Sequence, residues 1–138
     1  MSMNVTTQTS GFGVHFMLDG YNASYDALKD IDVLTQMLQT LPEKMGMYAI
    51  SKPLVVEVGP NNKKDPGGIS GFVMIAESHI SFHTFPGREF VTVDVYTCQD
   101  ELNVEKFTEA FREVFKFTDQ DINYIQRGVR YPSVNTHD

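Results

Sequence analysis

The chain of 138 residues contains one cysteine, no tryptophan and four histidines, and its 11 Lys+Arg are outnumbered by 18 Asp+Glu for a net charge of −7. Each shortage excludes something. Cys98 has no partner for an internal disulfide, so it is either a small buried hydrophobe or a thiol with a chemical task. His15, His79, His83 and His137 beside a single cysteine do not supply the ligand spacing of a zinc cage, and no metal is expected. The acidic balance lacks the basic stripe that phosphates require, which argues against a nucleic-acid partner. No apolar run approaches the roughly 18 residues of a membrane helix. The first stretch, MSMNVTTQTSGFG, has neither the basic nor the apolar region of a secretory signal, so a cytoplasmic protein is expected.

What is present is the composition of a globular domain, 41% hydrophobic and 21% charged. The length fits one domain with a core of its own. Residues 1–11 and 132–138 are polar and aperiodic and read as loose ends. Between them, residues 14–18 form a short apolar run closed by Asp19-Gly20, a first strand and turn. A helix follows, capped by Asn22 or Ser24, with Ala27, Leu28, Ile31, Leu34, Leu38 and Leu41 on one stripe and Pro42 at its end. Residues 51–58 read as a strand and 59–68 as a polar loop dense in turn formers.

Three apolar stretches come next, 70–76, 80–85 and 90–97, the last two joined by Pro86-Gly87-Arg88-Glu89 as a hairpin. A second helix starts after Asn103 with Val104, Phe107, Phe111 and Val114 on one side, and 122–127 reads as a last strand. The order β-α-β-β-β-β-α-β predicts an α+β two-layer sandwich: a mainly antiparallel sheet with two helices packed on one face.

Alternation within the hairpin carries more information. Ile80, Phe82 and Thr84 share one side of their strand with Val91, Val93 and Val95 of the next, leaving His79, Ser81, His83, Thr92, Asp94, Tyr96 and Cys98 on the other. Matching the apolar faces across a four-residue loop pairs His83 with Thr92 and, continued to the strand ends, sets Cys98 opposite Glu77. The thiol then lies beside the Glu77–Ser78 peptide bond, on a sheet face unusually rich in reactive groups.

The segments Gly67-Gly68-Ile69-Ser70-Gly71, Ala76-Glu77-Ser78-His79, His83-Thr84-Phe85-Pro86 and Asp94-Val95-Tyr96-Thr97-Cys98 resemble, in order and spacing, those of the prokaryotic S-adenosylmethionine decarboxylases. The resemblance runs from about Gly13 through His15 to the second helix. It implies a precursor that cuts itself between Glu77 and Ser78 into chains 1–77 and 78–138, leaving a pyruvoyl group derived from Ser78. His83 would be the processing base, Ser70 would assist processing, and Cys98 would be the catalytic proton donor. The pyruvoyl ketone would take the substrate amine as a Schiff base and accept the electrons released with CO2. The family also implies a homodimer, or a dimer of processed heterodimers, working on a small molecule in polyamine biosynthesis.

Two positions depart from the family. Lys64 stands where an aromatic stacks on adenine, and Gly87 where a glutamate binds the ribose hydroxyls. Charges at Lys64, Asp65, Arg88 and Glu89 would surround the substrate instead. S-adenosylmethionine therefore stands beside L-arginine or L-ornithine as the expected substrate, since a carboxylate suits a guanidinium or ammonium. A non-catalytic dimeric α+β binding module is the third alternative. A same-chain role for His83 carries a geometric difficulty: five residues of straight strand separate it from Ser78 by about 16 Å.

Overall fold

A computed structural model describes residues 11–61 and 66–137. Six antiparallel strands form one sheet: β1 (Gly13–Tyr21), β2 (Leu54–Val58), β3 (Gly68–Ile75), β4 (Ser78–Phe85), β5 (Phe90–Thr97) and β6 (Asp119–Arg127). Their spatial order is β2-β3-β4-β5-β1-β6, so the N-terminal strand is inserted between β5 and β6. Helices α1 (Tyr25–Leu28), α2 (Ile31–Lys44) and α3 (Val104–Phe115) cover one face. The expected α+β architecture is thus present, with the opposite sheet face left open.

Alternation builds the two faces. Val14, Phe16, Leu18, Ile80, Phe82, Val91, Val93 and Val95 are all buried toward the helices. Aromatic side chains of α3 complete the layer: Phe111 lies 6.3 Å from Phe16, and Phe115 lies 5.6 Å from Phe82, between ring centroids. Thr84 belongs to this face as well. Its hydroxyl donates to the Leu28 carbonyl at 2.7 Å and accepts from the Ile69 amide at 3.0 Å, so it ties α1 to two strands.

The boundaries correct several expectations, the first being that Asp19-Gly20 is not a turn but lies inside β1, paired with Asp121 and Gln120. The single helix expected across residues 24–41 is two. Ser24 caps α1 by accepting from the Ala27 amide, while Asp30 accepts from the Val33 amide and starts a new helix. Pro42 sits inside the last turn of α2, which runs on to Lys44. Strand β2 is shorter than expected because it starts after Pro53, whereas β6 begins three residues earlier, at Asp119, paired with Tyr21. Residues 70–76 and 80–85 become β3 and β4, a second tight hairpin that turns through Ala76 and Glu77.

Candidate active site

The β4–β5 ladder has the expected register, with His83 paired to Thr92 and His79 to Tyr96. Its continuation brings Cys98 to the Ala76-Glu77 turn. The Cys98 amide donates to Ser78 Oγ at 3.2 Å, and Cys98 Sγ lies 3.9 Å from Glu77 Oε1. Ser78 is 9% exposed and shares the parity of Ile80 and Phe82, so its hydroxyl is shielded from solvent while the thiol is half-exposed. Glu77 has a left-handed backbone, φ 59°. Gly13 lets β1 start close beside the end of β5: a Cβ there would fall 2.0 Å from the Thr97 carbonyl oxygen and 2.8 Å from Cys98 Cα.

His83 and Ser70 form a second cluster. They face each other across β3 and β4, with Ser70 Oγ 2.7 Å from His83 Nδ1. Together with Leu54, Val56, Phe72, Met74 and His79 they line an open depression of about 470 Å³ on the uncovered face. β4 is unbroken from Ser78 to Phe85, so one chain holds His83 five residues from Ser78 and on the opposite face. The difficulty raised by the sequence therefore persists in the structure. Arg88 and Glu89 lie at the other end of the β4–β5 hairpin, where Glu89 closes a 3-10 turn with φ 52°. Lys64 and Asp65 lie outside the described residues.

A third group escaped the sequence reading. His15 Nε2 is 2.9 Å from Asp94 Oδ1, and Arg127 Nη1 is 3.2 Å from His15 Nδ1. A guanidinium can only donate, so Nδ1 accepts and Nε2–H donates to Asp94, which fixes the neutral tautomer. The Arg127 guanidinium also sits 5.0 Å from the Tyr96 ring, whose far side meets His79 at 5.6 Å. Burial, then the neighbouring His15, hold the pKa of His79 below its ordinary 6.5, against the pull of Asp94. Asp94 and Tyr96 were legible as polar-face residues. Arg127 gave no sequence signal, because it joins the group only through the pairing of β1 with β6.

Among the described residues no three His, Cys, Asp or Glu side chains could hold a metal ion, and no helix is long and apolar enough to cross a membrane.

Known proteins resemble the chain in sequence and in fold. The family model described as S-adenosylmethionine decarboxylase matches residues 14–128. The S-adenosylmethionine decarboxylase proenzyme of Moorella thermoacetica is 32% identical over 120 residues, 87% of this chain and 90% of that protein. The proenzyme of Thermococcus kodakarensis is 29% identical over 123 residues, 89% and 81% of the two chains. A Clostridium botulinum proenzyme is 29% identical over 116 residues, 84% and 94%. In fold, the chain is similar to the crystal structure of the adenosylmethionine decarboxylase from Aquifex aeolicus, with a TM-score of 0.73 and 24% identity, covering 94% of this chain and 98% of that one. The sheet and its helices have the α+β fold of that neighbour, and the family is one of carboxy-lyases. The chain belongs to the S-adenosylmethionine decarboxylase family.

Proposed function

We propose that the chain is a precursor that cuts its own Glu77–Ser78 bond and, once cut, decarboxylates S-adenosylmethionine. The observation that carries this reading is the meeting of Ser78 and Cys98 at the β3–β4 turn, a hydroxyl held at 3.2 Å by the amide of the residue bearing the thiol. Ser78 Oγ is adjacent in the chain to the carbonyl it must attack, and it accepts a hydrogen bond from the Cys98 amide. The pyruvoyl group left on residue 78 supplies an electron sink for the departing carboxylate. The surroundings of Ser78 suit such a group: low exposure, a backbone donor and a neighbouring thiol. Cys98, half-exposed beside it, delivers a proton to the substrate carbon as a general acid.

His83, oriented by Ser70, acts as the processing base from a neighbouring copy of the chain. The uncovered face, where both residues lie, supports a homodimer joined through it. β4 also separates Ser78 from Arg88 and Glu89, so a substrate touching both would span two copies.

Intact-mass measurement tests the reading. Purified protein is expected as chains 1–77 and 78–138, the second with a blocked N-terminus; a single uncut chain with a free N-terminus at residue 1 defeats it. Cys98→Ala is expected to be cut normally and to release CO2 at least tenfold more slowly, the scale of a lost general acid.

One observation favours a second reading of the substrate. A Cβ on Gly87 would meet nothing within 4 Å, and Gly87 is not left-handed, so packing does not forbid a side chain there. The missing acceptor is thus a choice of chemistry, and it suits a basic amino acid that has no ribose. Offering the processed protein S-adenosylmethionine, L-ornithine and L-arginine separately decides between them by CO2 release.

A further inference from the structure

The Ala76-Glu77 turn is held in a conformation that its residues disfavour. Tight two-residue hairpin turns favour glycine, asparagine or aspartate where φ is positive, and here that position is Glu77, at φ 59°. Both flanks are fixed. On one side the Ala76 amide donates to the Tyr48 carbonyl at 2.9 Å, and Ala49 bridges to Ile75. On the other, Ser78 pairs with Ile75 while its hydroxyl accepts from the Cys98 amide. Glu77 is left to absorb the misfit. Of the other non-glycine residues with positive φ, Lys116 ends α3, Glu89 closes the 3-10 turn and Asn22 is of a type that tolerates the region. Only Glu77 carries its strain on the carbonyl next to Ser78.

We infer that this turn is a strained element that accelerates self-cleavage by destabilising the intact Glu77–Ser78 peptide, an inference that rests on the self-processing reading. In the step concerned, Ser78 Oγ bonds to the Glu77 carbonyl carbon, the bond from that carbon to the Ser78 nitrogen breaks, and the hydroxyl proton ends on the freed amine. No other reactant is consumed. Moving the acyl group from the Ser78 nitrogen to its Oγ removes the planar amide that locks Glu77 between the Ala76–Tyr48 and Ser78–Cys98 contacts, so strain present in the peptide is relieved along the reaction path.

The test separates backbone from side chain. In cell-free synthesis of the full chain, Glu77→Gly is expected to convert to the two fragments about 5- to 30-fold more slowly than wild type, corresponding to about 1–2 kcal/mol of left-handed strain. Glu77→Ala retains the strain and is expected to convert within about threefold of wild type. In an uncut Ser78→Ala chain, Glu77→Gly is expected to denature at higher urea concentration than Glu77→Ala. Equal rates for Glu77→Gly and wild type overturn the inference, as does equal slowing by glycine and alanine, which would assign the effect to the carboxylate. A Glu77→Gly chain no more stable than Glu77→Ala overturns it too. If wild type itself stays intact, the self-processing reading fails and the inference with it; a stability gain from glycine would then record a strained turn with no reaction to drive.

Discussion

Thr84 shows how one residue of a motif divides its work from its neighbour. His83 faces the open side of the sheet, whereas the Thr84 hydroxyl is buried and bonded to Leu28 and Ile69. Its task is structural. Thr84→Val keeps the shape and strips both bonds, leaving a buried amide and a helix-end carbonyl without partners. In the uncut Ser78→Ala chain this substitution is expected to cost about 2–4 kcal/mol in urea denaturation. A loss under about 1 kcal/mol would show that the two groups find other partners. From the sequence, Thr84 was assigned correctly to the apolar side by alternation, but its partners lie 15 and 56 residues away and left no local trace. Cys98 was more legible, since a register built from apolar matching alone carried it to the Glu77–Ser78 bond. Arg127, His15 and Asp94 share the opposite situation: each is ordinary in its own strand, and only the insertion of β1 between β5 and β6 assembles them.

At the level of elements, the strands with clear alternation were read with the right register, and Leu28, Leu34, Leu38, Leu41, Phe107 and Phe111 are buried as expected, whereas Ile31, placed on the same stripe, is 37% exposed at the start of α2. What failed were junctions. The apolar stripe runs through Leu28 and Leu34 without interruption, so the break at Lys29-Asp30 was invisible until Asp30 was seen capping α2. The β3–β4 turn was missed because Ala76-Glu77 contains none of the residues that announce a turn. The β1–β6 pair has a misfit of a different kind: Asp19 stands directly opposite Asp121. Burial, then the charges of Asp121 and Asp94, raise the pKa of Asp19 above 3.8. A raised carboxyl pKa means that the folded chain holds its proton more tightly than the unfolded chain, so this contribution is present at low pH and is lost as pH rises through the folded value. Asp19→Asn is therefore expected to raise the urea midpoint of the uncut chain near neutrality, with the gain vanishing below about pH 3.8, where both states are protonated. An equal gain at both ends of the range would refute the charge account. Tyr21 donates to Asp121 at 2.8 Å and remains in either variant, so it does not confound the comparison.

For the whole molecule, the decisive feature is a sheet with one covered face and one open face. On the open face Leu54, Val56, Phe72 and Met74 are 54%, 45%, 40% and 47% exposed, next to the Ser70–His83 pair. A chain with net charge −7 repels its own copies at long range, so association depends on such an apolar patch. In an isologous pair each copy offers the same surface, and strands crossing in opposite senses carry the middle of one β4 toward the end of the other. His83 of one copy can then approach the backbone of its partner's Ser78 from the open face, in place of the about 16 Å that separates the two along one strand, while the Ser78 hydroxyl stays on the covered face. Mixed assembly tests this directly. A Ser78→Ala chain keeps His83 and cannot be cut; a His83→Ala chain keeps Ser78 and lacks the base. Expressed apart, both are expected to stay intact. Expressed together with different tags, they are expected to form a mixed dimer in which only the His83→Ala chain is cut, detected as its two fragments by mass. If the His83→Ala chain remains whole in a mixed dimer shown to have formed, the base acts within its own chain and β4 must bend. If the His83→Ala chain is cut when expressed alone, His83 is not the processing base. Adding Phe72→Asp to both chains buries a charge in the proposed contact, and should abolish the mixed dimer and the cleavage together, whereas cleavage surviving in a monomer would separate processing from assembly.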